Sequence, residues 1–202
     1  MVDLVLFDIG GVLVRYDPQP LFDLLPGAGQ ADWADFMLAD PIANGFESGR
    51  VSEAAFFGAM AARFGPQASV EALRAGFDAW VIGLFPGAEA LVKETAARVR
   101  TGCLSNGNPV HWPRLCRDHG MDRWFEPLRV SFLVGLAKPD PAAFLAAAEG
   151  VEPGRVLLLD DHPHNIAVAR SLGWQADQVV GADAARAALV GRGLLQVTPA
   201  SW

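Results

Sequence analysis

The segment Val2–Phe7 (VDLVLF) constrains this chain most: it is almost wholly apolar, rich in Val and Leu, and stops at Asp8, with Gly10 and Gly11 close behind. A short apolar run bounded by glycines has no polar face to offer to water, so it reads as a parallel strand buried on both sides. Similar runs recur. Arg100–Leu104 (RTGCL) ends at Ser105-Asn106-Gly107, Leu128–Leu133 (LRVSFL) precedes Gly135, and Val156–Leu159 (VLLL) ends at Asp160-Asp161. Gln178–Val180 is a weaker candidate. Helical patterns separate these runs: Ala88–Val99, the alanine-rich Pro141–Glu149, Asn165–Leu172 running into Gly173 as a C-cap, and Asp183–Val190 starting at an aspartate cap. Strands alternating with helices predict an α/β fold, a Rossmann-like parallel sheet with helices on both faces.

Residues 16 to 85 differ. Leu21–Leu25, Ala31–Leu38, Ser52–Phe64 and Val70–Val81 are helical in pattern, and no segment reads as a strand. Ser52 before Glu53 marks a capped helix start, and Asp17-Pro18 and Phe85-Pro86-Gly87 punctuate the two ends. The expected organisation is therefore a core of residues 1–15 and 86–202 with an all-helical cap, 16–85, inserted after the first strand. Such an insert would sit over the carboxyl end of the sheet, where α/β folds bind ligands.

The chain has 202 residues, 51% of them hydrophobic and 19% charged, enough for one substantial core. Its formal net charge of -7 speaks against nucleic acid and anionic membranes as partners. Two cysteines, Cys103 and Cys116, make no disulfide framework and match no zinc spacing, so they read as reduced, buried thiols. No signal peptide and no membrane-spanning run is evident, which makes the cytoplasm the expected location. A monomer or a homodimer is expected.

The chemistry gathers at strand ends. Asp8, then Ser105 and Asn106, then Asp160 and Asp161 follow successive strands, and Lys138 lies in the loop Gly135-Leu136-Ala137-Lys138-Pro139. Three carboxylates buried together need a positive partner. A hard divalent cation with oxygen ligands answers that need, and Mg²⁺ fits best. A bound metal also recruits phosphate.

The segments FDIGGVL (7–13), LSNGN (104–108), AKPD (137–140) and LLLDDHPHNI (157–166) resemble the four ordered motifs of the haloacid dehalogenase superfamily. The likeness spans essentially the whole chain. It is greatest to the helical-cap subfamily that includes sugar-phosphate phosphatases, of the glucose-1-phosphate type, with a glycine in the first motif. The resemblance implies a phosphatase acting on a small phosphorylated metabolite. Asp8 would be the nucleophile, forming an aspartyl-phosphate, while Ser105 and Asn106 would hold the phosphoryl oxygens. Lys138 would neutralise their charge. Asp8, Asp161, the carbonyl of Gly10 and Asp160, as ligand or support, would make the Mg²⁺ site.

One departure matters. Phosphatases of this superfamily mostly carry a second aspartate two residues after the nucleophile as general acid and base, and here that position is Gly10. Glu47, His162 and His164 are candidate substitutes, each weighed against an ordinary structural role. Arg15 is a weaker candidate for substrate contact. Two other readings stand beside the phosphatase: a metal-independent 2-haloacid dehalogenase, which needs no leaving-group proton, and a ligand-binding relative that no longer turns over.

Overall fold

The computed structural model describes residues 1–25, 29–65 and 68–196. In chain order the elements are β1 (Leu4–Phe7), β2 (Val14–Tyr16), α1 (Gln19–Phe22), α2 (Gln30–Ala39), α3 (Pro41–Glu47), α4 (Glu53–Phe64), α5 (Val70–Asp78), β3 (Val81–Leu84), α6 (Ala88–Ala96), β4 (Arg100–Ser105), α7 (His111–His119), β5 (Leu128–Val130), α8 (Ser131–Val134), α9 (Pro141–Ala148), β6 (Val156–Asp160), α10 (Pro163–Ser171), β7 (Gln175–Gln178) and α11 (Gly181–Gly191).

Five strands form one parallel sheet in the order β5-β4-β1-β6-β7. β1 lies at the centre because all four of its residues are apolar and fully buried. Alternation along the strand divides them between two cores. Val5 and Phe7, with Leu157 and Leu159 of β6, pack beneath Leu91, Leu115 and Leu189. Leu4 and Leu6, with Val156 and Leu158, pack against Phe144, Ala147, Ile166 and Ala169 on the other face. After β1 the chain builds outward through β4 and β5, then returns across β1 to β6 and β7. The strand order therefore reverses between β1 and β6, the switch point at which open α/β sheets bind ligands. Asp8 and Asp160 stand on either side of it.

The structure refines several sequence expectations. The last strand is Gln175–Gln178, earlier than the expected Gln178–Val180. Its polar sequence suits an edge strand, which carries little hydrophobic signal. The run Leu128–Leu133 stops being a strand at Val130 and turns into a single helical turn from Ser131. The last helix begins at Gly181, with Asp183 in its first turn rather than at its cap. Gly173, with φ +81°, closes α10 as expected: it follows the C-cap Leu172, Gly173 N donates to Arg170 O and Trp174 N to Ala169 O. Cys116 is half-buried rather than buried, and both cysteines are free.

Residues 16–85 were expected to hold no strand, yet Tyr16 and Val81–Leu84 pair antiparallel in a short ribbon, β2 with β3. A three-residue strand whose partner lies more than sixty residues away leaves no local periodicity to read. The ribbon ties both ends of the helical insert together, and Asp17 N donates to Trp80 O and Phe85 N to Leu13 O on either side of it. Helices α1 to α5 have a core of their own, made of Leu21, Trp33, Phe36, Phe46, Phe56, Phe57, Met60, Leu73 and Phe77, joined by Val110 from the sheet side. The Ser52 hydroxyl accepts from Ala55 N, the expected cap of α4.

Phe46 and Phe56 stack at a centroid distance of 4.0 Å, both wholly buried. Replacing Phe46 by Ala should therefore cost about 3–5 kcal/mol, read as a lowered urea midpoint; a loss under about 1 kcal/mol would mean the insert does not unfold with the rest.

Candidate active site

Lys138, carried on the loop between α8 and α9, stands between two strand ends. Its Nζ lies 2.9 Å from Asp8 Oδ2 and 2.6 Å from Asp160 Oδ2, and its side chain is 2% exposed. Burial alone would strip the ammonium of its proton, but the two carboxylates outweigh it and hold the lysine above its ordinary range. The expected grouping of Asp8, Lys138, Asp160 and Asp161 is thus brought together by three separate loops.

Each aspartate is set differently. Asp160 is completely buried and fully engaged. Besides Lys138, Asn165 Nδ2 donates to both of its oxygens at 3.0 and 3.1 Å, and His162 N to Oδ1 at 2.8 Å. Asp8 Oδ1 accepts from Ile9 N at 2.7 Å. Burial drives the Asp8 pKa up to about 7, against the pull of Lys138 and with the push of Asp160. Asp161 is half-buried, and burial followed by Asp160 raises its pKa too.

Ligand oxygens of Asp8, Asp160 and Asp161 lie within 4.8 Å of one another. Three carboxylates against one ammonium leave an excess of two negative charges when all are ionised. A hard divalent cation such as Mg²⁺ matches that charge and these oxygen donors, so the residues present fit the metal.

Two glycines shape the loop after β1. Gly11 adopts φ +71°, and a Cβ there would lie 2.2 Å from Asp161 Oδ2. The space Gly11 leaves is occupied by that carboxylate. A Cβ on Gly10 would lie 2.7 Å from Tyr16 Cε2. The position where an acid–base aspartate would sit is therefore filled by the Tyr16 ring.

Asn106 joins this cluster to the helical insert. Its Nδ2 donates to Lys138 O and its Oδ1 accepts from Lys138 N, both at 2.8 Å. The side-chain amide is thus committed to holding the lysine loop. The same Nδ2 lies 3.4 Å from Oε2 of Glu47, the last residue of α3. Burial raises the Glu47 pKa to about 7, with Asn106 and Lys138 opposing and Asp8 adding to the rise. Ser105 is buried at the end of β4. His162 and His164 are exposed at the start of α10, and Arg15 is exposed on β2.

Two hollows meet at Asn106. One, of about 220 Å³, is bounded by Asp8, Gly10, Lys138, Asp161 and the two histidines. The other, of about 310 Å³, lies between the insert and the sheet, with Glu47, Ser105 and Tyr16 in its wall. Tyr16, Asn108, His111 and Asn165 escaped the sequence reading. Asn165 carried one usable signal, its place in the first turn of the helix that follows Asp160-Asp161. Asn108 is held locally, by bonds to Val110 N and His111 at the start of α7, while Tyr16 and His111 are brought in by contacts between the insert and the sheet that no local pattern encodes.

A family model for haloacid dehalogenase-like hydrolases matches residues 2–173. The chain belongs to that family, and it is a hydrolase of the haloacid dehalogenase (HAD) type. No curated protein matches the sequence. Among solved structures it is similar to a HAD family enzyme from Bacteroides thetaiotaomicron, crystallised in complex with magnesium and inorganic phosphate, with 24% identity over 88% of this chain and 94% of that one and a TM-score of 0.74. It is similar also to a predicted HAD-like family hydrolase from Porphyromonas gingivalis, with 23% identity, 97% and 100% coverage and a TM-score of 0.79. An L-2-haloacid dehalogenase from Xanthobacter autotrophicus shares the fold at 20% identity, 97% and 85% coverage and a TM-score of 0.62. Among the described residues no helix is long and apolar enough to cross a membrane.

Two outcomes are expected from this geometry. Gly11→Ala should weaken Mg²⁺ binding, measured by calorimetric titration, on the order of tenfold or more, because Asp161 must move; an unchanged titration would remove Asp161 from the ligands. Glu47→Gln should alter stability with pH in a defined sense. Below about 4.5 the carboxyl is protonated whether folded or unfolded, so it has no effect on the pH dependence. Between 4.5 and about 7 only the folded state keeps the proton, so wild-type stability falls as pH rises. The variant should lack that fall and be more stable at pH 8 by on the order of 2 kcal/mol, read from urea unfolding at both pH values.

Proposed function

We propose that this hydrolase is a Mg²⁺-dependent phosphatase that cleaves small phosphorylated metabolites through an aspartyl-phosphate on Asp8. The observation that carries the reading is the buried Lys138 ammonium shared by Asp8 and Asp160 beside Asp161. A carboxylate oxygen and a fixed positive charge beside oxygen donors suited to a hard cation support that reading.

Mg²⁺ would be held by Asp8, Asp161 and the carbonyl of Gly10, with Asp160 behind them, and would screen the charge of the bound phosphate. Ser105 Oγ, the main-chain N–H of Asn106 and the Lys138 ammonium bind the phosphoryl oxygens. An Asp8 carboxylate oxygen attacks phosphorus, and the bond from phosphorus to the ester oxygen breaks. That oxygen leaves toward Glu47, whose protonated carboxyl supplies the proton. Glu47, now a carboxylate, then takes a proton from water as the water oxygen attacks the aspartyl-phosphate and frees Asp8. Glu47 thus stands in for the acid missing at Gly10, where Tyr16 leaves no room for one. The helical insert acts as a cap that keeps bulk water from the acyl phosphate.

Several observations support phosphoryl transfer over dehalogenation. Asp161, and the space kept for it by Gly11, has a role beside a cation and none in attack on carbon. A raised Glu47 pKa has a role only where a leaving group needs a proton.

The test is hydrolysis of p-nitrophenyl phosphate with and without Mg²⁺, beside Asp8→Asn. Metal-dependent release that vanishes in the variant is expected. No release at any metal concentration, with chloride freed from 2-chloropropionate instead, would overturn the reading. Glu47→Gln should lower kcat/KM for esters with alkyl leaving groups by about 10²–10⁴-fold, while kcat/KM for p-nitrophenyl phosphate, which reports only the phosphorylation of Asp8 and whose leaving group needs little protonation, is barely affected and its kcat falls with the slower hydrolysis of the aspartyl-phosphate. The fall of wild-type kcat/KM above about pH 7 should disappear with it; a fall of equal steepness in the variant would remove Glu47 from the mechanism.

A further inference from the structure

The 310 Å³ cavity between the insert and the sheet is where the organic part of a substrate lies once its phosphate is at Asp8, because the cavity shares Asn106 with the hollow that contains Asp8 and Lys138. Its walls differ in chemistry from the hollow. Rings of Tyr16, Trp33, Phe77, Trp80, His111 and Trp112 face it, from β2, the insert and α7. Among the described residues no lysine or arginine lines it, and Glu47 is the one acid in its wall.

Three polar side chains in that wall, those of Asn106, Asn108 and His111, are committed to the protein. Asn108 Nδ2 lies 3.1 Å from His111 Nδ1, and Asn108 Oδ1 accepts from Val110 N and His111 N. His111 Nε2 lies 2.7 Å from Phe77 O, and its ring stacks on Phe77 at 4.3 Å. Both ring nitrogens are therefore occupied. Gly107 N is bonded to Ser131 Oγ, and the Asn106 amide holds the Lys138 backbone. Burial lowers the His111 pKa to about 4, so the imidazole adds no positive charge near neutrality.

A polyhydroxy sugar would bring several hydroxyls against these rings, where the Asn106, Asn108 and His111 side chains are already engaged, and each hydroxyl left unpaired would carry a desolvation cost. A second anionic group would find no cation and would face Glu47. A flat, apolar group meets the opposite situation: aromatic faces on several sides, in a volume at the lower end of that of ordinary small-molecule pockets, about 300–1,000 Å³.

We infer that the substrate is a phosphate monoester whose organic part is an uncharged aromatic or similarly flat apolar group, held in the ring-lined cavity beneath the insert, rather than a sugar phosphate. This rests on the phosphatase reading for where the phosphate sits, while the walls of the cavity are an observation independent of turnover.

The test compares esters of the same leaving-group type, so that chemistry does not mimic recognition. 2-Phenylethyl phosphate and glucose 6-phosphate are both primary alkyl esters. Their binding to Asp8→Asn in the presence of Mg²⁺ is measured by calorimetry, with inorganic phosphate as reference, and their kcat/KM is measured on the wild type. The aromatic ester is expected to bind and react better on the order of tenfold or more. Trp80→Ala should erase most of that preference, and because the comparison of the two esters on the unaltered cavity needs no variant, it decides the matter whether or not the Trp80 variant folds. Equal or better binding of glucose 6-phosphate would overturn the inference while the phosphatase reading stood. Preferential binding of the aromatic ester with no hydrolysis of either ester would uphold the inference and defeat the phosphatase reading. Binding of the aromatic ester no tighter than that of inorganic phosphate would overturn the inference outright.

Discussion

A single buried ammonium makes the rest of this site possible. Three aspartates drawn to one sheet edge would repel one another and resist ionisation if left alone. Lys138 is bonded to two of them at once, and its own charge is preserved by theirs. Neither partner is tolerable without the other, since an uncompensated buried charge destabilises strongly. The supporting contacts serve this pair. Asn165 and the His162 amide fix Asp160, and Asn106 grips the lysine backbone from the neighbouring strand. The charged groups of the candidate site are thus held in place by the protein itself, which is the condition under which electrostatic stabilisation is effective.

The second constraint is the docking of the insert on the sheet. The Ser131 hydroxyl donates to Glu47 O, Arg114 Nη1 to Asp78 O, and Arg50 Nη1 to Gly135 O, so α7 and the two ends of α8 hold the helices down. This seating has two consequences for chemistry. It brings the Glu47 carboxyl against Asn106, and it swings Tyr16, at the root of the insert, over Gly10. A side chain lost from the first loop and a carboxyl gained from the insert are thus two results of one packing arrangement.

The same packing explains the character of the cavity. The rings that fill the insert's own core continue outward through Phe77 and Trp80 to its lower surface, where they meet His111 and Trp112 of α7. What reads in sequence as helix-packing aromatics is, for part of the set, the wall of a cavity. Spacing along a helix reports which residues share a face; it does not report what that face touches.

The sheet was legible because its strands carry their burial in their composition: VDLVLF and VLLL admit no exposed face, and each ends abruptly in the polar residues that form the site. Asp8, Ser105, Asn106, Asp160 and Asp161 are legible for that reason, as positions at strand ends, and Lys138 through the AKPD segment of its loop. The polar edge strand Gln175–Gln178 and the ribbon between Val14–Tyr16 and Val81–Leu84 are not, since their pairing depends on partners distant in the chain. Nor is the division of labour among the acids, with Asp160 saturated by donors and Asp161 left nearer to solvent, or the meeting of Glu47 with Asn106 across 59 residues. By itself the sequence determined the architecture and the inventory of reactive groups, because both follow from local hydrophobic runs and the breaks that end them. Only the tertiary structure decided which groups touch, which are neutralised, and what shape is left between insert and sheet, because those depend on distances that the order of residues does not contain.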